Sequence, residues 1–243
     1  MLTKVTTIYD YRNIEIPKPF IELQLPDVEA FVDAQCRTLA LKHSGQDLPE
    51  GAEPALTDEM VQAEELPGVT TVDAYRETLR RDLPLAAASE QSHMILMNYV
   101  MPQVVQRSTF EINDEEATRE SRRRLEAFEE NAKKQGLTLE ELGQREFGLP
   151  GMDEGAIRQH ILYLGRNSFL FRVLAKEYLK QKGQVFDVAS YAGYVKDLEG
   201  ASGMSEDKIR ELVPIHIYME EVPTLVMLDE ITAWIEPQLI IPA

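Results

Sequence analysis

The stretch Thr71-Val72-Asp73-Ala74-Tyr75-Arg76-Glu77-Thr78-Leu79-Arg80-Arg81-Asp82-Leu83, continued to Arg107-Ser108-Thr109-Phe110-Glu111-Ile112, decides the fold. Apolar residues recur along it at helical spacing, first Val72, Tyr75, Leu79 and Leu83, then Met94, Met97, Met101, Val104 and Val105. Leu96, Tyr99 and Val100 widen the stripe in the second half, so that half must be covered on more than one side. One very long helix closed by a short extended piece is the reading, with kinks or a break expected at Pro84 and Pro102. Propensity alone cannot hold such a helix, so it needs packing partners along its length.

Working outward, the N-terminal side holds the best extended signals: Val5 to Ile8, Ile14 with Ile16, and Phe20 to Leu25. Pro17, Pro19 and Pro26 restrict these to short or edge strands. Pro26 opens a helix reaching about Leu41, with Cys36 as a small apolar residue on its inner side. Residues Ser44 to Pro54 read as a polar connector, and Thr57 as the N-cap of the next helix. Beyond the spine, Asn113 caps a highly charged helix to Gln135 with a narrow stripe of Ala117, Leu125, Phe128 and Ala132. Gly136 ends it, and Thr138 with Glu141 forms a capping box. Leu149-Pro150-Gly151 makes a turn before a long apolar helix over 153–181, and shorter helices follow near 186–198, 205–212 and 215–236.

Composition narrows the function. Forty-two acids against 25 bases give a formal charge of -17, which argues against nucleic acid or an anionic membrane as main partner, since both require a basic face. The same balance argues against docking on ribosomal RNA by bulk attraction. One cysteine rules out an internal disulfide and fits a reducing compartment; with no basic-then-apolar leader the chain reads as cytoplasmic. His43, His93, His160 and His216 fall on separate elements without metal-ligand spacing. No phosphate-cradling glycine loop, nucleophile elbow or calcium loop occurs, so no catalytic residue, metal or cofactor is assigned and an enzyme is not expected. Arg122-Arg123-Arg124 lies among glutamates and reads as a solvated face.

Two segments, around residues 128 and 225, combine narrow or interrupted apolar stripes with heavy charge, the pattern of arms packed on one side and wet on the other. Adaptable thioethers, together with this placement, make Met94, Met97, Met101, Phe128 and Met227 the candidate lining of a polypeptide-binding groove. Core filling is the competing role for the methionines.

The order of several corners carries a family resemblance. Leu56-Thr57-Asp58-Glu59-Met60-Val61, Gly68-Val69-Thr70-Thr71 leading into the spine, Phe110-Glu111-Ile112-Asn113-Asp114-Glu115-Glu116 and Gln135-Gly136-Leu137-Thr138-Leu139-Glu140-Glu141-Leu142 together resemble the C-terminal domain of trigger factor. Tyr11-Arg12-Asn13-Ile14-Glu15-Ile16-Pro17 with the Val28 helix resembles the segment leading into that family's prolyl-isomerase domain. The family's ribosome-docking loop and the isomerase body have no counterpart in the chain. The resemblance implies a mainly α fold: an elongated multi-helix trigger factor C-terminal/SurA-like chaperone body with helical arms, plus short N-terminal strands. It implies residues 1–54 as a remnant of the isomerase-linker region and 55–243 as the chaperone domain. The function implied is an ATP-independent holdase binding unfolded polypeptides without ribosome docking or proline isomerisation, with a homodimer possible and the acidic surface favouring basic clients. The rival readings are a scaffold or assembly protein binding one folded partner or itself, then a residual isomerase, and last a secreted parvulin-type foldase.

Overall fold

The computed structural model describes residues 2–44, 54–148 and 151–242. In chain order these form β1 (Lys4–Thr7), a 3-10 turn (Tyr11–Asn13), α1 (Lys18–Ile21), α2 (Val28–Ser44), α3 (Asp58–Gln62), α4 (Val72–Ile95), a π turn (Leu96–Val100) and α5 (Met101–Arg107). There follow β2 (Thr109–Glu111), α6 (Asp114–Gln135), α7 (Leu139–Phe147), α8 (Glu154–Gln181), α9 (Val188–Ser202), α10 (Glu206–Leu212), α11 (Ile215–Glu220), α12 (Val222–Ile235) and a closing 3-10 turn (Glu236–Gln238). The fold is mainly helical. Residues 45–53 of the expected connector and the Leu149–Pro150 part of the expected turn lie outside the described residues, and Ser44, read as the connector's start, ends α2.

The spine forms as α4, which crosses Pro84, then the π turn and α5 in direct succession along the chain. Pro102 has no N–H to offer the carbonyl of Asn98 and its ring crowds that carbonyl; the ladder widens into the π turn at Leu96–Val100 and resumes with proline in its first turn. Helix ends follow their caps. The Asn113 side chain accepts the Glu115 and Glu116 N–H groups at 3.1 and 3.3 Å, and Gly136 closes α6 in the left-handed region at φ 67°. Thr138 and Glu141 exchange their capping-box bonds at 2.8 and 3.1 Å. Thr57 caps α3 and Asp153 caps α8.

The chain builds two compact units, each drawing on both sides of residue 54: Met1–Glu15 with Leu96–Ala233, and Ile16–Ile95 with Trp234–Ala243. In the second unit α2 packs on α3 and α4 around Leu39, Val61 and Val69, with Val72 and Tyr75 against them. Arg76 and Arg80 of α4 pair with Asp33 and Glu29 of α2. Here the expected strand over Phe20–Leu25 is corrected: Pro17 and Pro19 preset one helical turn, α1, and only Glu22 keeps an extended pairing, a parallel bridge to Ile240. Cys36 is buried on α2, where Arg76 donates to its Sγ at 3.8 Å.

In the first unit β1 and β2 pair antiparallel, Val5 opposite Phe110, with an irregularity between Val5 and Thr7. Ile14, expected as strand, instead leaves the 3-10 turn as a buried single residue. α6 and α8 lie side by side over an apolar cluster of Leu139, Ile157 and Ile161 with Leu125, Phe128 and Phe147. They come close at Gly165, where a Cβ would stand 2.9 Å from the Ser121 Cα. A second cluster joins α9, α10 and α11: Tyr218 meets the rings of Tyr194, Tyr191 and Phe186 at 4.7, 5.3 and 5.5 Å, and Tyr191 donates to the Val213 carbonyl at 2.7 Å.

Candidate functional site

A groove within the first unit runs along one face of α8. Phe169, Val173, Lys176 and Lys180 fall at i, i+4, i+7 and i+11, which stacks them on one line of the helix. Leu2 to Val5 forms one wall, Glu116 and Glu120 of α6 another, and Glu220 of α11 closes the end, enclosing a cavity of about 680 Å³. The floor is apolar: Phe169 is buried, and Val173 and Val5 are half-buried. Leu2, 71% exposed, overhangs it. Past Lys176 and Lys180 the surface dips again into a cavity of about 170 Å³ walled by Val185, Phe186, Met219 and Pro223.

Charge on the rim is mostly spent internally. Glu116 accepts the Thr3 backbone N–H at 2.8 Å, which ties the N-terminal segment to α6 and holds this carboxyl below its ordinary range. Arg172 donates to Glu120 at 2.7 Å and to Glu221 at 3.0 Å. Its burial opposes the charged form, but the two carboxylates more than compensate and the guanidinium is held more firmly protonated than usual. Lys176 reaches Glu220 at 2.7 Å. Such a rim is polar without a strong net charge, and the apolar floor can be covered by side chains of varied shape at no cost in unpaired ions.

The five residues singled out from sequence do not converge. Met94 is half-exposed on α4 in the other unit, and Met97 is half-buried in the π turn. Phe128 stacks on Phe147 with centroids 5.6 Å apart, inside the α6–α8 cluster. Met101 and Met227 are corrected: at 7% and 0% exposure they are interior, sealed because α5 packs on α8 and because Met227 shares a face of α12 with the equally buried Ile231. At these two positions the thioether is core. The groove on α8 escapes the sequence reading, although its signal is present: an apolar pair one turn apart, followed on the same face by two lysines.

Among the described residues no group of three or more His, Cys, Asp or Glu could hold a metal ion, and no helix is long and apolar enough to cross a membrane. No family model, curated protein or solved structure matches the chain.

Proposed function

We propose that the chain is an ATP-independent chaperone that binds unfolded polypeptide along the α8 groove. The observation that carries the reading is the groove itself, an apolar floor of Phe169 and Val173 beneath charges already paired with one another. The resemblance of residues 55–243 to the C-terminal domain of trigger factor supports it. Each client side chain laid fully into an apolar site is worth roughly 1.5–3 kcal/mol. A few of them, set against the ordering cost of the client, give affinity on the order of micromolar. Weak, additive and shape-tolerant binding is what a holdase requires, and no nucleotide enters it.

The test is light scattering as a chemically denatured model protein is diluted into increasing amounts of the chain without ATP. Dose-dependent suppression is expected, and no suppression at any ratio sinks the reading. Val173→Asp places a charge on the half-buried floor and should weaken suppression with little change in the melting curve. Full suppression by that variant moves the binding surface off this groove.

A further inference from the structure

Beside the groove, and sharing Glu120, Phe169 and Arg172 with it, lies a separate cavity of about 350 Å³ between α6, α8 and α12. Three arginines, Arg123, Arg124 and Arg172, line it against two glutamates, Glu120 and Glu221. Both glutamates are held by Arg172 at 2.7 and 3.0 Å, so the other two guanidiniums are not engaged by them and give the lining one net positive charge. Arg123 forms no ion pair among the described residues, and Arg124 spends one N–H on the Ser168 Oγ at 3.2 Å. A guanidinium carries five N–H donors, so most of this donor capacity stays open. The Ser168 hydroxyl accepts there and has no acceptor of its own among the described residues. On the α12 wall, Thr224 has a buried Oγ1 with no hydrogen-bond partner among the described residues. That hydroxyl is sealed from solvent, so it costs stability and does not reach into the cavity.

We propose that this cavity is an oxyanion site that takes a carboxylate of a polypeptide bound in the adjoining groove, with Arg123 and Arg124 supplying charge and Ser168 a hydroxyl donor. The inference rests on the groove reading and refines it, because it selects clients with an acidic group next to apolar residues. The acidic surface as a whole favours basic clients, so only a local cluster of this kind could reverse the preference. Guanidinium suits the task, since its planar fork matches a carboxylate or a phosphate oxygen pair.

The probe is a short, fluorescently labelled apolar peptide with one central glutamate, compared by anisotropy with its glutamine counterpart. The glutamate peptide should bind about ten-fold tighter, the scale of one or two charge-assisted hydrogen bonds. The double variant Arg123→Gln/Arg124→Gln should erase that preference and leave the glutamine peptide's affinity unchanged. Equal binding of both peptides by the unaltered protein overturns the proposal and leaves the groove reading intact. Binding of neither peptide sinks the groove reading, and calorimetry with inorganic phosphate then decides the site alone: heat lost in the double variant keeps an oxyanion site for free phosphate, and no heat overturns it. Thr224→Val should raise the melting temperature by removing an unmatched buried hydroxyl and leave the preference for the glutamate peptide unchanged, which separates stability from the arginine site.

Discussion

On α4, Arg76 and Arg80 each meet a carboxylate of α2, Asp33 at 2.5 Å and Glu29 at 2.7 Å; on α6, Arg123 meets none among the described residues and Arg124 meets only the Ser168 hydroxyl. What separates the two pairs of arginines is the neighbouring helix. α2 offers acids one turn apart, Glu29 and Asp33, and α4 fastens to it through a wet ladder of charge. α8 offers Gly165 and Ser168, small side chains that let the α6 backbone come close and leave no acid opposite the arginines. Both pairs carry ions, since α8 also reaches α6 through Arg158–Glu129, Arg166–Asp114 and Arg172–Glu120, and both cover an apolar cluster; the second pair differs in its close backbone approach at Gly165. At that close approach Arg123 and Arg124 are left without an ion pair among the described residues.

That contrast breaks most visibly in the core. Ile157 is fully buried between α6, α7 and α8, and Ile157→Ala should lower unfolding free energy by about 2–5 kcal/mol in a denaturant titration. A loss well under 1 kcal/mol would mean that the α6–α8 pair does not depend on its apolar cluster. Next in size is Gly165→Ala. Alanine is the better helix former by about 1 kcal/mol, but its Cβ would sit 2.9 Å from the Ser121 Cα, an atom of backbone that cannot swing aside. A net loss of about 1–3 kcal/mol is expected, together with a weaker preference for the glutamate peptide as α6 is pushed off α8. At Gly193 on α9 a methyl group would meet nothing within 4 Å, so Gly193→Ala should instead gain about 0.5–1 kcal/mol. If both alanines stabilise, the close approach is not what holds α6 to α8.

How much of this the residues announce depends on the range over which each signal acts. Asn113, Gly136, Thr138 with Glu141, and Asp153 mark helix ends through bonds to residues two to four positions away, and each end forms where its cap stands. The extended piece at Phe110 forms as β2 for the same local reason, but its partner Val5 is not legible, because pairing across the chain leaves no mark on either strand alone. Pro17 and Pro19 carry two local meanings, a broken strand or the start of a helical turn, and the turn wins. Arg122-Arg123-Arg124 reads as a solvated face, and the three are exposed; the cavity beside two of them depends on Gly165, Ser168 and Thr224, which come from α8 and α12 and say nothing about arginine in sequence. Methionine type alone cannot separate Met94, half-exposed, from Met227, wholly buried. That difference is set by which face of each helix meets another helix.

The smallest expected effect tests the charged side of the contrast. Arg80 donates to Glu29 through Nε at 2.7 Å and Nη2 at 3.0 Å, and this hydrogen bonding, more than any other influence, holds the Glu29 carboxyl below its ordinary value of 4.5. A carboxylate whose pKa is lowered by folding adds stability above that ordinary value and loses it as the pH falls through the lowered one. Arg80→Ala should therefore reduce the melting temperature only slightly at neutral pH and low salt. The deficit should shrink in about 1 M salt, where the screening length falls to roughly 3 Å, and shrink again as the pH is taken well below 4.5. The Ile157→Ala deficit should respond to neither change, since nothing ionised is lost with it. A deficit for Arg80→Ala that persists in high salt and in acid would show that the methylene stem of Arg80, lying along α2, matters more than its charge.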